Sequence, residues 1–300
     1  MVYLHIGLHR TATTFLQDAF FPTLEGVNYI TDPVITYAIQ DCLESKGDPV
    51  EMEHTLRPVN ENSGPVLISS EGYAMNPWTQ SYHTNVEQLL KLVPESEIII
   101  FLRDPVDWVF SLYGLAIHKH KYMTLDEFVN WDGDNFIDHE VKHDPKSPLW
   151  KSRFDVKSLA FFKVLDIWNK GYSPKRIHVF FYENFSRNPD KELARLSDLI
   201  GGTIPESFDS RQRRNSSSTA ERCDAAAASY SYLGWLDRFT KPWRLSHKVG
   251  PGLAYRIVHG QIPFPKLLVR SHREKIRAAL EIEFREDKEK IAKMYPDCPW

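Results

Sequence analysis

Residues 97–102 read EIIIFL, an apolar run with charge only at Glu97 and at Arg103 just beyond it. A strand exposed on one face alternates apolar with polar residues. A run without alternation marks a parallel strand covered on both faces. This segment therefore demands helices above and below a parallel sheet. Its sequel fits that demand: Asp104 can cap a helix, and Pro105 suits a first helical position in a helix running to about His118.

The rest of the chain supplies further strand–turn–helix units. Val2 to Ile6 reads as a short buried strand. A helix follows from Thr13, with Phe15, Leu16, Ala19 and Phe20 on its apolar side. Val66 to Ser69 is a second strand and delivers Ser70, Glu71 and Gly72 to its end. Asn85 to Leu92 is helical. Phe154 to Trp168 returns to helix, with Leu159, Phe162, Leu165 and Ile167 as core candidates. Ile177 to Tyr182 is another strand. Asn188-Pro189 opens a helix that Gly201-Gly202 closes. Residues 31–57 are weakly helical, 130–151 form a long loop, and 241–265 are turn-rich. Thr219–Phe239 and Ser271–Tyr295 read as helices. The expectation is an α/β fold: a single P-loop-like domain over residues 1–300, with a central parallel sheet of about four to five strands flanked by helices on both faces. Residues 203–270 are expected to form an irregular loop/helix segment closing over the site.

Ligands of such sheets bind beyond the C-terminal strand ends. Those ends carry His9-Arg10, Ser70-Glu71, Arg103-Asp104 and Tyr182-Glu183. The first is the most suggestive. A strand running through the tight turn Gly7–Ala12 into a helix aims backbone N–H groups and a helix dipole at one spot, which is a ready anion site. Arg10, Thr11, Thr13 and Thr14 add a cation and hydroxyls. The formal charge is −3, so a general affinity for nucleic acid or anionic membrane is not expected and the anion site is local. Three dispersed cysteines, Cys42, Cys223 and Cys298, argue against a disulfide framework and a structural zinc. No apolar run has the length of a membrane span, and the first strand begins at residue 2 with no signal peptide before it. The expected location is cytoplasmic.

A Walker A loop aligned on Gly7 would place Gly at Ala12 and Lys at Thr13, with Thr14 as the hydroxyl. The cation stands instead at Arg10. With its following hydroxyls, GLHRTATTFLQ resembles the 5′-phosphosulfate loop of the sulfotransferases in their GxHKTGTTxLQ form. IIIFLRDPVDWVFSLY resembles the 3′-phosphate motif of the same family, through Arg103 and Ser111. ISSEGY resembles the site of a glutamate base, VFFYENFSRNPDKELARLSDLIG the Tyr-Glu strand end, and RRNSS the late loop that closes over the nucleotide. The resemblance spans essentially the whole chain. It implies 3′-phosphoadenosine 5′-phosphosulfate (PAPS) as co-substrate, PAP as product and no metal. It implies a nucleotide site from His9, Arg10, Thr11, Ala12, Thr13, Thr14, Arg103, Ser111, Arg213, Arg214 and Asn215. Arg10 and Glu71 are the implied catalytic residues, Glu71 as base in an in-line displacement at sulfur. The acceptor would be a small-molecule or carbohydrate hydroxyl. Two residues depart from the commoner pattern, Arg10 for lysine and Ala12 for glycine.

Other readings of the same residues stand beside this one. A nucleoside or sugar kinase with a degenerate loop, or a non-catalytic nucleotide-binding protein, would keep the fold. Arg10 can be a surface charge, and Arg103 can pair with Asp104 or Asp107. Ser111 can be an ordinary helix serine and Glu71 an arginine partner. His118 and His120 are rival bases, and His9 a brace for the turn. Tyr182 reads as core.

Overall fold

The structure, a computed structural model, describes residues 1–43, 56, 59, 64–74, 82–119, 123–137, 154–157, 159–210, 220–236, 249–263 and 272–300. They pack as two compact units. The first takes residues 1–104, 160–214 and 287–300, the second residues 105–159 and 215–286.

The first unit is built on five parallel strands: β1 (Val2–His5), β2 (Asn28–Ile30), β3 (Val66–Ser69), β4 (Glu97–Leu102) and β5 (Ile177–Phe181), in the spatial order β2-β3-β1-β4-β5. β1 pairs with β3 from Val2↔Val66 to His5↔Ser69 and with β4 from Tyr3↔Glu97 to His5↔Ile99. Strand order reverses between β1 and β4, which is where an open α/β sheet forms its ligand crevice. Residues 98–102 of β4 are all fully buried, as the unalternated run requires. β2 is a three-residue edge strand that the sequence reading passes over, paired to β3.

One face of the sheet is covered by an aromatic core. Its floor is Tyr3, Leu67, Ile99, Phe101 and Phe180. Its cover is a helical stretch from Thr13 together with the later helix Pro189–Ile200. The stretch starts as α1 (Thr13–Phe15), widens into a π turn (Leu16–Phe20) and tightens at Phe21–Thr23, where Pro22 ends it. Phe101 and Phe180 stack at 4.9 Å. Truncating a buried ring such as Phe20 would cost about 3–5 kcal/mol. After α2 (Pro33–Leu43), the helices α3 (Tyr82–Leu92) and α6 (Phe161–Tyr172) pack on one another, Val86 lying against Gly171. Further on come α7 (Tyr182–Arg187) and α8 (Pro189–Ile200). Asn188 caps α8 on the Lys191 N–H, and Gly201 closes it in the left-handed region at φ 79°.

Helix α6 begins at Phe161 rather than Phe154. Ala160 offers no side-chain cap. The cap comes from Asp287, whose carboxylate accepts the N–H groups of Phe161 at 3.0 Å and Phe162 at 2.9 Å.

The second unit contains α4 (Pro105–His118), α5 (Leu125–Phe128, opened by a Thr124/Glu127 capping box), α9 (Ala220–Leu236), α10 (Gly250–Val258) and α11 (Arg273–Glu283). Its core includes Trp108, Tyr113, Phe128 and Phe154. The Asp224 carboxylate accepts two hydrogen bonds from Arg273, at 2.9 and 3.0 Å. Two expectations need correction. Residues 250–258 are helical, because Pro251 sits in the first turn where it is tolerated. Residues 271–295 form two helices, α11 and α12 (Arg285–Met294), broken at the buried Phe284. Among the described residues no helix is long and apolar enough to cross a membrane.

Candidate active site

β1 runs into the turn through Gly7. A side chain there would have no room, since a Cβ would lie 2.4 Å from Thr13 Cγ2 and 2.9 Å from His5 Nε2. Two residues beyond it carry positive φ, Arg10 at 68° and Ala12 at 71°. Left-handed residues in a turn are the backbone ingredient of anion-binding nests. For a residue with a Cβ each costs on the order of 1–2 kcal/mol. Ala12 then starts the helical stretch, its carbonyl accepting the Leu16 N–H at 3.1 Å. The hydroxyls divide. Thr11 is buried and donates to the Leu8 carbonyl at 2.6 Å, which braces the turn. Thr13 is buried and donates to Glu71. Thr14 is exposed.

Glu71 stands just past the end of β3, and its two carboxylate oxygens face different loop residues. One accepts from Thr13, and the other meets His9 Nδ1. His9 and Glu71 are each about seven-tenths buried, with side-chain exposures of 29% and 27%. The strand-end glutamate thus pairs with a histidine and a threonine of the loop, not with an arginine. His9 braces the loop from the β3 side.

Arg103 closes the site from β4. Its Nη1 donates to the Arg10 carbonyl at 3.3 Å, and its guanidinium lies 4.5 Å from the Tyr182 ring centroid. Its Nε is buried and has no partner among the described residues. Tyr182 therefore presents a ring face to a cation instead of filling the core, and it is partly exposed. The Asp104 carboxylate meets Lys288 at 2.6 Å, and that of Asp107 takes Arg277 at 2.8 Å.

Beneath the loop lies a layer that the sequence reading does not single out. His5 is fully buried, its Nδ1 2.6 Å from Ser69 Oγ, and Gln17 Nε2 donates to the same oxygen at 2.9 Å. Burial pushes the His5 pKa down to about 3, so the ring is neutral. One signal was available: His5 is a basic residue in a strand otherwise made of Val2, Tyr3 and Leu4.

Of the remaining expected residues, Ser111 lies partly exposed on α4 in the second unit. His118 is also on α4, its ring 5.5 Å from that of His259. Arg211, Arg213, Arg214, Asn215 and His120 lie outside the described residues. Among the described residues no cluster of three or more His, Cys, Asp or Glu could hold a metal ion.

A family model described as "Sulfotransferase domain" matches residues 6–225, taking in the loop, Glu71, Arg103 and Ser111. No curated protein matches the chain significantly. Among solved structures, a sulfotransferase from Alicyclobacillus acidocaldarius is similar at 14% identity and a TM-score of 0.50, over 79% of this chain and 94% of that one. Mouse sulfotransferase SULT7A1 complexed with PAP gives 13% identity and a TM-score of 0.43, over 98% and 88%. At 14% identity the Alicyclobacillus structure speaks for the shared α/β fold. The family match covers well over half of the chain, and it begins at Ile6, where β1 passes into the turn described above: this protein belongs to the sulfotransferase family.

Proposed function

We propose that this enzyme transfers a sulfuryl group from PAPS to a hydroxyl of a small-molecule or carbohydrate acceptor. The observation that carries the reading is Arg103. It is a guanidinium with a buried Nε that no described residue satisfies, held against the carbonyl of Arg10 beside an anion-binding turn. An unsatisfied buried donor costs about 1–3 kcal/mol unless something accepts from it. A phosphate oxygen is the acceptor that a guanidinium fits best. One anion on the turn and a second at Arg103 is the demand of a nucleotide carrying both a 5′-phosphosulfate and a 3′-phosphate.

The residues present suit that ligand. The turn offers backbone N–H groups and Arg10 to the 5′ end, with His9 and the Thr11–Thr14 segment around it. Thr11 and Thr13 commit their hydroxyls to Leu8 and Glu71, so their contribution to a ligand is their backbone. Arg103 takes the 3′ end. When bound, the donor supplies an activated sulfuryl group and departs as PAP. Arg10 cannot give up a proton, and its part is to offset negative charge on the leaving phosphate. Glu71 accepts the proton of the attacking hydroxyl. Thr13 and His9 fix its orientation, and general base catalysis of this kind contributes about 10²–10⁴-fold. The kinase reading loses support, because Thr13, at the Walker lysine position, is buried and turned to Glu71.

Transfer of labelled sulfate from PAPS to a panel of hydroxyl acceptors tests the reading. Glu71→Gln should lower kcat by about 10²-fold or more while PAP binding stays near that of the wild type. Absence of any thermal stabilisation by millimolar PAP would overturn the nucleotide assignment. PAP binding without turnover of any acceptor would make the protein a non-catalytic binder.

A further inference from the structure

The segment Tyr295–Trp300 returns to the end of β5 and fastens there. Trp300 packs edge-on against Phe181, centroids 5.3 Å apart and planes at 86°, and its Nε1 donates to Glu183 Oε2 at 3.0 Å. Asn184 Nδ2 donates to the Asp297 carbonyl at 2.9 Å, and Arg195 reaches the Asp297 carboxylate at 3.2 Å. The other oxygen of Glu183, Oε1, accepts the backbone N–H of Asp104 at 2.9 Å.

Glu183 thus bridges a distant tail and the peptide unit immediately after Arg103. A carboxylate pinned through both oxygens cannot rotate. The Asp104 peptide is fixed by it, and with that peptide the backbone from which the Arg103 side chain springs. Three successive residues of the β5 end share the work. Phe181 seats the indole, Tyr182 presents its ring to the guanidinium, and Glu183 holds the next peptide. Lys288, from the same C-terminal part of the chain, occupies the Asp104 carboxylate, the anion nearest to Arg103 in sequence.

We propose that Glu183, locked by Trp300, is a positioning residue for the 3′-phosphate of the nucleotide, acting through Arg103. The proposal rests on the donor reading given above. Neither residue touches the ligand. Their effect is selective for the part of the nucleotide that Arg103 holds.

The experiment is calorimetric titration of the full chain with two probes, PAP and adenosine 5′-monophosphate, which lacks the 3′-phosphate. The variants are Trp300→Phe, which keeps the ring and removes the N–H, and Glu183→Gln, which turns an NH2 group toward one of the two donors. In each variant PAP affinity should fall about tenfold, the scale of one charge-assisted hydrogen bond, while affinity for the monophosphate stays as in the wild type. Thermal melts establish that each variant is folded. Variants that bind PAP as the wild type does would overturn the positioning role. So would an equal loss of both ligands, because that is the mark of general loosening. A wild type that binds PAP no better than the monophosphate would instead remove the donor reading itself.

Discussion

Among the turns of the first unit that use positive φ, the one that closes α8 and the one that follows β1 fill it differently. At the end of α8 the residue is Gly201, φ 79°, with no atom within 4 Å of where a Cβ would stand. At the end of β1 the residues are Arg10 and Ala12, φ 68° and 71°. The first turn only has to stop a helix, and glycine does so without strain. The second holds a conformation that its own residues disfavour. Such strain persists only where the surroundings over-determine it, and it clusters at functional sites. Here the surroundings are the Thr11–Leu8 bond, the His9–Glu71–Thr13 cluster and the Arg103 bond to the Arg10 carbonyl.

The contrast can be broken most severely at Gly7. In Gly7→Ala the new methyl would collide with Thr13 Cγ2, displacing the residue that orients Glu71. Sulfuryl transfer should fall by about 100-fold or more, since sub-ångström placement of reacting groups governs the rate. Near-normal turnover in that variant would mean that the turn is not the reaction site.

The floor of the site turn also titrates. His5 has its folded pKa depressed to about 3 against an ordinary value near 6.5. Between those values the unfolded chain binds the extra proton, so stability rises with pH across the window. It is fully present above about 6.5 and is lost as pH falls toward about 3, by at most about 1.4 kcal/mol per pH unit. Denaturant melts of wild type and His5→Gln over that range should show the steeper slope only in the wild type. Equal slopes would place the acid sensitivity elsewhere.

The smallest effects test the comparison itself. Gly201→Ala should cost about 1 kcal/mol and leave activity alone, whereas Ala12→Gly should gain up to about 1 kcal/mol as relieved strain outweighs added chain entropy. A loss of stability in Ala12→Gly would show that the turn is not strained at that position.

What could be read beforehand follows the same division. Elements specified by their own residues were legible. The unalternated β4, the Asn188-Pro189 start and the Gly201 stop of α8 each carry a local signal. So does the strand–turn–helix of the loop, and so does Arg103 at a strand end. Elements specified by a distant partner were not. The start of α6 depends on Asp287, and β2 is three residues that hold to β3 by edge pairing. The orientation of Glu71 depends on His9 and Thr13, 62 and 58 residues away. The tie between Trp300 and Glu183 spans 117 positions, and no spacing rule reaches so far.

The Asp287 cap has a consequence in time. The first turn of α6 needs a carboxylate that lies 126 residues later in the chain than Phe161. During synthesis at about 5–20 residues per second that carboxylate arrives roughly 6–25 seconds after the helix has left the ribosome. Until then two N–H groups at the head of an amphipathic helix have only water to bond. The head of α6 is therefore complete in sequence well before it can be complete in structure, and α12 is the piece whose docking ends the wait.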